Sequence, residues 1–94
     1  MPDLVAIVEL EVTGGTREEV AARLHKHAEL SRREDGCKHF DVVIAREDAK
    51  KIYLYEVWRD QAALDVHAAS PHRKQIAVDL KDKYRQVRVI WASR

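Results

Sequence analysis

The chain has 94 residues, which are enough for one domain and too few for two, so residues 1–94 are expected to form a single domain. Lysine and arginine number 17 against 16 aspartates and glutamates, and the resulting net charge of +1 argues against a nucleic-acid-binding protein, which needs a basic stripe. No apolar run approaches the roughly 20 residues of a membrane span, and no basic region precedes an apolar stretch at the amino terminus, so we expect neither a membrane segment nor a signal peptide. The single cysteine, Cys37, excludes an internal disulfide and indicates a reducing, cytoplasmic location.

The first half of the chain is predicted to form a strand, a helix and a second strand. Alternating apolar residues predict the first strand over Leu4–Val12, and both of its sides are apolar at its start. Thr16 and Glu19 have the spacing of a capping box, which opens a helix predicted to reach about Arg33. After a glycine that can reverse the chain, alternation resumes and predicts a strand over Lys38–Ala45.

The second half is predicted to form a strand, two short helices and a final strand. Ile52–Arg59 is rich in β-branched and aromatic residues and is the clearest strand of the chain. A capping aspartate precedes a short helix over Gln61–Ala69, and a serine before Pro71 opens a further helix predicted to reach about Tyr84. The last strand is predicted over Gln86–Ala92. The order β-α-β-β-α-β predicts an α+β ferredoxin-like fold, in which one antiparallel sheet carries both helical segments on one face.

The uncovered face of this predicted sheet is apolar too. In the third strand, Leu54 and Trp58 lie on one side, which the helices are expected to cover. Tyr53, Tyr55 and Val57 lie on the other side, which would be polar in an ordinary monomer. An uncovered apolar face of this size predicts a partner, and the simplest partner is a second copy packed sheet to sheet about a two-fold axis. We therefore expect a homodimer.

Ionisable and hydroxyl side chains interrupt the apolar stripes that should face the space between sheet and helices. Each has a structural alternative, since a histidine on a helix stripe is often a hydrogen-bonded core residue and a strand glutamate can pair with an arginine. Their convergence favours a functional site, because several ionisable groups around one apolar cavity are costly unless they are used. The side chains expected to form this site are His27, Ser31, Leu54, Glu56, Trp58, His67 and His72.

Other kinds of site find little support in the sequence. His67 and His72 are five residues apart and straddle Pro71, so they lack the i, i+4 spacing of a helical zinc pair, and we expect no metal. Gly14-Gly15 lack the spacing of a phosphate-binding loop, and no flavin, nicotinamide or haem motif is present, so we expect no cofactor. Cys37 lies at a turn without an evident oxyanion donor, which argues against a catalytic thiol.

Several segments together resemble the antibiotic biosynthesis monooxygenase (ABM) domain family, and most closely its quinol monooxygenases and autoinducer-2-degrading LsrG-type proteins. The likeness extends over about residues 4 to 92. It rests on Ser31-Arg32-Arg33-Glu34-Asp35-Gly36-Cys37, on Phe40-Asp41-Val42, on Tyr55-Glu56-Val57-Trp58-Arg59-Asp60 with Ala62-Ala63, and on His67 with Ser70-Pro71-His72.

The resemblance implies a dimeric α+β barrel and a cofactor-independent monooxygenase acting on a small quinol-like or phenolic substrate. Such an enzyme deprotonates a phenol and holds the anion in a dry pocket, where the anion reacts directly with oxygen. On this basis we expect His67 or His72 to be the base and Glu56 to orient one imidazole. Trp58 is expected to form a flat wall against an aromatic substrate, with His27, Ser31 and Leu54 as further contacts.

Two other functions stay open at this point. An LsrG-like isomerase of a small carbonyl compound would use the same proton-transfer groups, and Arg73 and Lys74 could hold its phosphate. A non-catalytic stress protein could keep the pocket for a small ligand without turnover. Haem degradation is not expected, since Val8 and Ala77 stand where haem-degrading relatives have an asparagine and a histidine.

Overall fold

Four strands and three helices alternate along the chain in the computed structural model, which describes residues 2–94. The elements are β1 (Leu4–Val12), α1 (Arg17–Arg32), β2 (Cys37–Ile44), β3 (Lys51–Trp58), α2 (Gln61–Ala68), α3 (Pro71–Asp79) and β4 (Tyr84–Ser93). The strands form one sheet in the order β2-β3-β1-β4, and every neighbouring pair is antiparallel. This is the α+β ferredoxin-like arrangement predicted from the sequence, with α2 and α3 together as its second helical segment.

The helices begin where the capping residues predict. Thr16 Oγ1 accepts the backbone N–H of Glu19 at 3.1 Å, and the Asp60 carboxylate accepts that of Ala63 at 2.9 Å. These bonds satisfy backbone donors that lack partners in the first helical turn. The longest helix, α1, has 16 residues, and none of the helices within residues 2–94 combines the length and apolar character needed to cross a membrane.

The predicted end of the last helix, at about Tyr84, is wrong by five residues. Helix α3 ends at Asp79, and Asp82 then takes a left-handed backbone conformation with φ of 63° that stops further helix. Tyr84 instead pairs with Val12 and begins β4. The i, i+4 spacing of Ile76, Leu80 and Tyr84 imitates a helical stripe, although Tyr84 packs against the core from a strand.

The two faces of the sheet differ in what covers them. On the helix-covered face, register places Ala6 between Glu56 and Trp91, and Val8 between Leu54 and Val89. Most of the core packs between this face and the helices. Its buried apolar residues are Ala6, Val8, Leu10, Val12, Val20, Ala21, Leu24, Ala28, Phe40, Ile52, Leu54, Trp58, Ala63, Ile76 and Leu80.

The opposite side of the sheet, here called the open face, carries no helix. Ile7 pairs with Tyr55 and with Ile90 on this face. Ile90 is 43% exposed, and Val43 on β2 is 47% exposed. Of the three side chains predicted for this face, Tyr53 and Tyr55 are half-buried and Val57 is 0% exposed, and Val43 and Ile90 add apolar surface on the two edge strands.

Candidate functional site

A cavity of about 240 Å³ lies between the helix-covered face and all three helices. On the β4 side its wall includes Trp91, which is 57% exposed, so the cavity reaches the surface at this edge of the sheet. The lining is mostly apolar and aromatic, with few polar groups, as in small-molecule sites. Its polar and aromatic members are His27, Phe40, Glu56, His67, Arg73, Tyr84, Gln86 and Trp91.

The structure brings four of the sequence-predicted residues into this wall. His27 enters from α1, His67 from α2, and Leu54 and Glu56 from β3. His27 is 2% exposed, His67 5% and Glu56 7%, so the ionisable groups are withdrawn from solvent. Their catalytic and binding roles stay predictions, but their convergence on one apolar cavity is the arrangement that the sequence pattern favours.

One carboxylate, that of Glu34, connects the two histidines proposed as bases. Its Oε2 lies 2.6 Å from Nδ1 of His67 and 2.9 Å from Nε2 of His72. Because an ionised carboxylate only accepts hydrogen bonds, both of these nitrogens carry hydrogen and donate. In neutral His67, Nε2 is then the unprotonated nitrogen and can accept a proton. We call Glu34, His67 and His72 the Glu34 cluster.

Close packing between the α1–β2 turn and α2 builds the Glu34 cluster. Gly36 lies in this turn, and a Cβ added to it would overlap the side chain of Ala63 on α2, so a glycine permits the approach. At the α2–α3 junction, the hydroxyl of Ser70 donates to the backbone carbonyl of His67 at 2.7 Å and lies 3.3 Å from Nε2 of His72. Packing at Gly36 thus positions the turn that carries Glu34, and the hydrogen bond from Ser70 holds the backbone of His67.

Burial favours the neutral forms of His27 and His67. It lowers the pKa of His27 to about 3, and a positive charge on a neighbouring histidine would lower it in the same direction. Burial also lowers the pKa of His67, although the hydrogen bond that His67 donates to Glu34 opposes this shift. A neutral His67 that is oriented by a carboxylate has the form of a general base.

Glu56 has an unusual environment for a carboxyl group. Burial raises its pKa from 4.5 to about 7, while the hydrogen bond from the Trp58 indole and the charge of Arg73 act in the opposite direction. The Trp58 Nε1–H donates to Glu56 Oε1 at 3.0 Å. A carboxyl group that titrates near neutrality in a cavity wall can either give or take a proton there.

Two of the expected roles are corrected by these contacts. Glu56 does not orient an imidazole, because its bonded partner is Trp58 and the imidazoles are held by Glu34. Trp58 is not a flat wall of the cavity, since it is fully buried at 0% exposure beneath His67, with ring centroids 4.6 Å apart. Its indole supports the site from behind.

Two further expected residues lie outside the cavity wall. Ser31 is 0% exposed, and its hydroxyl donates to the backbone carbonyl of His27 at 2.8 Å, which makes it a helix-internal contact. His72 contacts the same Glu34 oxygen as His67 but is not among the residues that line the cavity. Of the two candidate bases, the structure therefore gives only His67 direct access to a bound molecule.

Sequence reasoning assigned no role to Glu34 and Trp91. Glu34 lies in the charged turn after α1, where a carboxylate ordinarily faces solvent, and only the packing of α2 against this turn reveals its role. Trp91 follows the exposed Ile90 on an edge strand and pairs with Ala6 on the helix-covered face. Its position there could have indicated an aromatic wall at the rim of the cavity.

The Glu34 cluster is also the group of described residues whose donor atoms come near enough to hold a cation. One ligand atom from each of Glu34, His67 and His72 lies within 4.8 Å of the others. The contacts of 2.6 and 2.9 Å from Glu34 Oε2 are hydrogen-bond distances, whereas the buried Glu34 Oε1 has no hydrogen-bond partner within residues 2–94. The expectation that the site uses no metal stays a prediction.

Comparison with known proteins shows the family to which this chain belongs. The antibiotic biosynthesis monooxygenase family matches residues 3–78 of this chain. The Synechocystis protein sll1783 is 30% identical over 69 residues, or 73% of this chain and 47% of that protein, so the chain spans about half the length of this curated relative.

Solved structures share the fold along the whole chain. PA3566 from Pseudomonas aeruginosa has a TM-score of 0.91 and 26% identity, covering 100% of this chain and 95% of that one. SnoaB, a cofactor-independent oxygenase from Streptomyces nogalater, has a TM-score of 0.87 and 16% identity, covering 100% of this chain and 94% of its own.

Proposed function

This chain belongs to the antibiotic biosynthesis monooxygenase family, and from that membership we propose that it is a cofactor-independent monooxygenase of a small quinol or phenol. The observation that carries the proposal is the placement of His67, oriented by Glu34, in the wall of a largely apolar cavity. An oriented neutral imidazole can remove a proton from a phenol, and an apolar cavity keeps water from the resulting anion.

The reaction proposed is balanced without an added reductant. Hydroquinone and O₂ give hydroxyquinone and water, so the substrate supplies all four electrons that reduce O₂. Deprotonation of one hydroxyl makes the ring electron-rich, and O₂ adds to the ring carbon as a peroxide. The O–O bond then breaks, with one oxygen atom retained on the ring and the other released as water.

Two ionisable groups of the wall, His67 and Glu56, transfer protons in this sequence. His67 Nε2 takes the hydroxyl proton, and Glu34 stabilises the imidazolium that forms, as the aspartate of a catalytic triad does. Glu56, whose pKa is raised by burial to about 7, returns a proton to the peroxide oxygen that leaves as water. His27 stays neutral, since its pKa is lowered to about 3, and contributes to the wall without competing for the proton.

The size and lining of the cavity favour a small aromatic substrate. A cavity of roughly 150 Å³ holds benzene, so about 240 Å³ accommodates one or two fused rings. We propose that Trp91 and Tyr84, with Phe40 deeper in the cavity, form the aromatic wall that the sequence assigned to Trp58. Aromatic rings that meet face to edge or offset add about 0.5–1.5 kcal/mol to such binding.

We further propose that the open face pairs with the open face of a second copy. Its central carboxylate, Glu9, is already neutralised within the chain by Lys51 at 2.6 Å and Arg88 at 2.9 Å. An isologous contact would therefore bury apolar side chains around a carboxylate that already has cationic partners within its own chain. Sedimentation or light scattering should show a dimer of the wild type, and Val43→Asp or Ile90→Asp should give monomers. A monomeric wild type at micromolar concentration would end this part of the proposal.

Isomerisation of a small carbonyl compound needs the same proton transfer and provides the alternative outcome of the test. The test measures oxygen uptake by metal-chelated protein with a panel of quinols, each corrected for spontaneous oxidation. Wild-type protein should consume oxygen, and His67→Gln should lose most of this activity. Oxygen uptake no faster than in buffer with every quinol would contradict monooxygenation and leave proton transfer without O₂ as the function to examine.

A further inference from the structure

Arg73 differs from the other arginines of the chain in having both partial burial and no partner. It lies in the wall of the cavity and is half-buried. Among residues 2–94, no carboxylate or carbonyl lies within hydrogen-bonding or ion-pair distance of its guanidinium. The remaining arginines are either exposed or held by such a contact. They are Arg17, Arg23, Arg32, Arg33, Arg46, Arg59, Arg85, Arg88 and Arg94.

A partly desolvated guanidinium without a partner is costly, because a withdrawn charge loses hydration and gains no compensating contact. The cost is recovered when an anion binds beside it. The guanidinium offers planar, forked donors that suit oxyanions. Arg73 therefore marks the part of the cavity wall where a negative oxygen is most favourable.

Backbone contacts tie Arg73 to the proposed base. Ser70 Oγ accepts the backbone N–H of Arg73 at 3.3 Å, and the same hydroxyl donates to the carbonyl of His67 at 2.7 Å. Arg73 is the third residue of α3, so the positive end of this helix also lies on the cavity side. A substrate oxygen that reaches His67 would thus enter a region of positive potential.

The charges facing the cavity indicate whether the substrate arrives charged or neutral. With a neutral phenol bound, Glu34 and Arg73 cancel, and His27 and His67 are uncharged. After proton transfer, Glu34 pairs with the His67 imidazolium and Arg73 pairs with the phenolate. The net charge of the groups around the cavity is therefore unchanged. Glu56 and Tyr84 are the other acidic groups of the wall, and in their protonated forms they leave this net charge unchanged. The arrangement is balanced for a neutral substrate that becomes an anion inside the cavity.

We propose that Arg73 binds the oxyanion produced when the substrate hydroxyl loses its proton, and that the substrate enters as an uncharged phenol. This inference rests on the proposed function for the identity of the ligand. It assigns to Arg73 the stabilisation of the anion, as distinct from the proton transfer assigned to His67. An opposite charge within about 4–6 Å lowers the pKa of an acid by about 1–3 units, which is the effect that Arg73 would have on a bound phenol.

The test uses 4-nitrophenol, whose ionisation changes its visible absorption, and needs no turnover. The pKa of the bound dye is measured with wild type, Arg73→Met, Arg73→Lys and Lys74→Met, with circular dichroism as a check of folding. The dye should titrate about one unit lower on wild type and Lys74→Met than on Arg73→Met, a tenfold change in phenolate preference. Arg73→Lys should keep part of the shift in the pKa of the dye. It serves as a second test of the proposal if Arg73→Met does not fold.

The outcomes separate this inference from the proposed function. An equal dye pKa on wild type and Arg73→Met, or no dye binding to wild type, overturns the anion site even if quinols are oxidised. A dye pKa that depends on Arg73 in a protein that consumes no oxygen with any quinol supports the anion site, while the monooxygenase proposal fails.

Discussion

Glu34 Oε2 lies 2.6 Å from Nδ1 of His67, although 33 residues separate the two along the chain. The contact joins the turn after α1 to the end of α2, and it engages Nδ1 of His67 while leaving Nε2 to accept a proton. A charge-assisted hydrogen bond of this length is strong and directional. Glu34 is therefore a positioning residue for the proposed base, and its replacement tests that role.

Glu34→Gln should lower kcat for quinol oxidation by about 10- to 100-fold, because an amide holds His67 in the correct tautomer less firmly and cannot stabilise its imidazolium. KM should change little, since Glu34 does not line the cavity. Steady-state oxygen uptake measures both constants.

Asp35→Asn is the matched control, because Asp35 is the next residue and its side chain is 94% exposed. Its kcat should equal that of wild type. A Glu34→Gln protein that is fully folded and keeps wild-type kcat would show that the orientation of His67 does not contribute to turnover.

Glu56→Gln should make the protein more stable at alkaline pH. The pKa of Glu56 rises from 4.5 to about 7 on folding, so between these values the native state binds more protons than the unfolded state. Wild-type stability therefore falls as pH rises from about 4.5 to 7, by up to roughly 3 kcal/mol from this group. Glutamine has no such proton to lose and can still accept the bond from Trp58.

Urea unfolding at about pH 5 and pH 8 and at one protein concentration measures this effect. The advantage of Glu56→Gln over wild type should be larger at pH 8. Glu47→Gln, in the exposed β2–β3 turn, serves as the control and should leave the wild-type difference between the two pH values intact. If Glu56→Gln raises the free energy of unfolding equally at both pH values, Glu56 is already ionised in the folded protein at pH 5.

His27→Leu should reduce the sensitivity of the fold to acid. Burial lowers the pKa of His27 from 6.5 to about 3, so the unfolded state takes up a proton that the native state refuses. Wild-type stability therefore falls as pH drops from 6.5 towards 3, by about 1.4 kcal/mol per pH unit from this residue. The leucine variant also removes a buried Nδ1 that has no hydrogen-bond partner.

His25→Leu is the control for this comparison, because His25 is exposed on the same helix. The free energy of unfolding is measured in steps from about pH 7 to pH 4. Its pH dependence should differ from that of wild type for His27→Leu and match that of wild type for His25→Leu. Parallel curves for the two variants would show that His27 is not neutral in the folded protein.

Trp91→Ala should weaken substrate binding without unfolding the protein. Trp91 lines the cavity and is 57% exposed, so its loss removes an aromatic wall and little of the core. We expect KM for quinols to rise about tenfold, which corresponds to about 1.4 kcal/mol. Ile90→Ala, on the opposite face of β4, should leave KM unchanged, and an equal effect of both variants would exclude a specific role for Trp91.

The fold was largely predictable because its signals are local. Strand alternation, the Thr16 and Asp60 caps and Pro71 at a helix start each act within a few residues. The end of α3 was missed because a helical spacing coincided with a strand residue, Tyr84, whose pairing with Val12 is a long-range contact.

The site was predictable only as far as its residues interrupt apolar stripes. His27, Glu56 and His67 were found in this way. Glu34 was not given a role, because its position in a charged turn is typical of solvent exposure and its burial depends on the approach of α2. The pairing of Glu56 with Trp58 lies within one strand, yet no periodicity indicates which of two nearby partners a buried carboxyl group takes.

The central claim is that this chain adds one atom of O₂ to a phenolic ring with its own side chains alone. Mass spectrometry of the product formed under ¹⁸O₂ by metal-chelated protein tests it most directly, with hydroquinone as substrate. We predict a hydroxyquinone that carries one ¹⁸O atom and forms much more slowly with His67→Gln. A product without the label, or labelled product at the same rate with His67→Gln or without protein, would contradict the account.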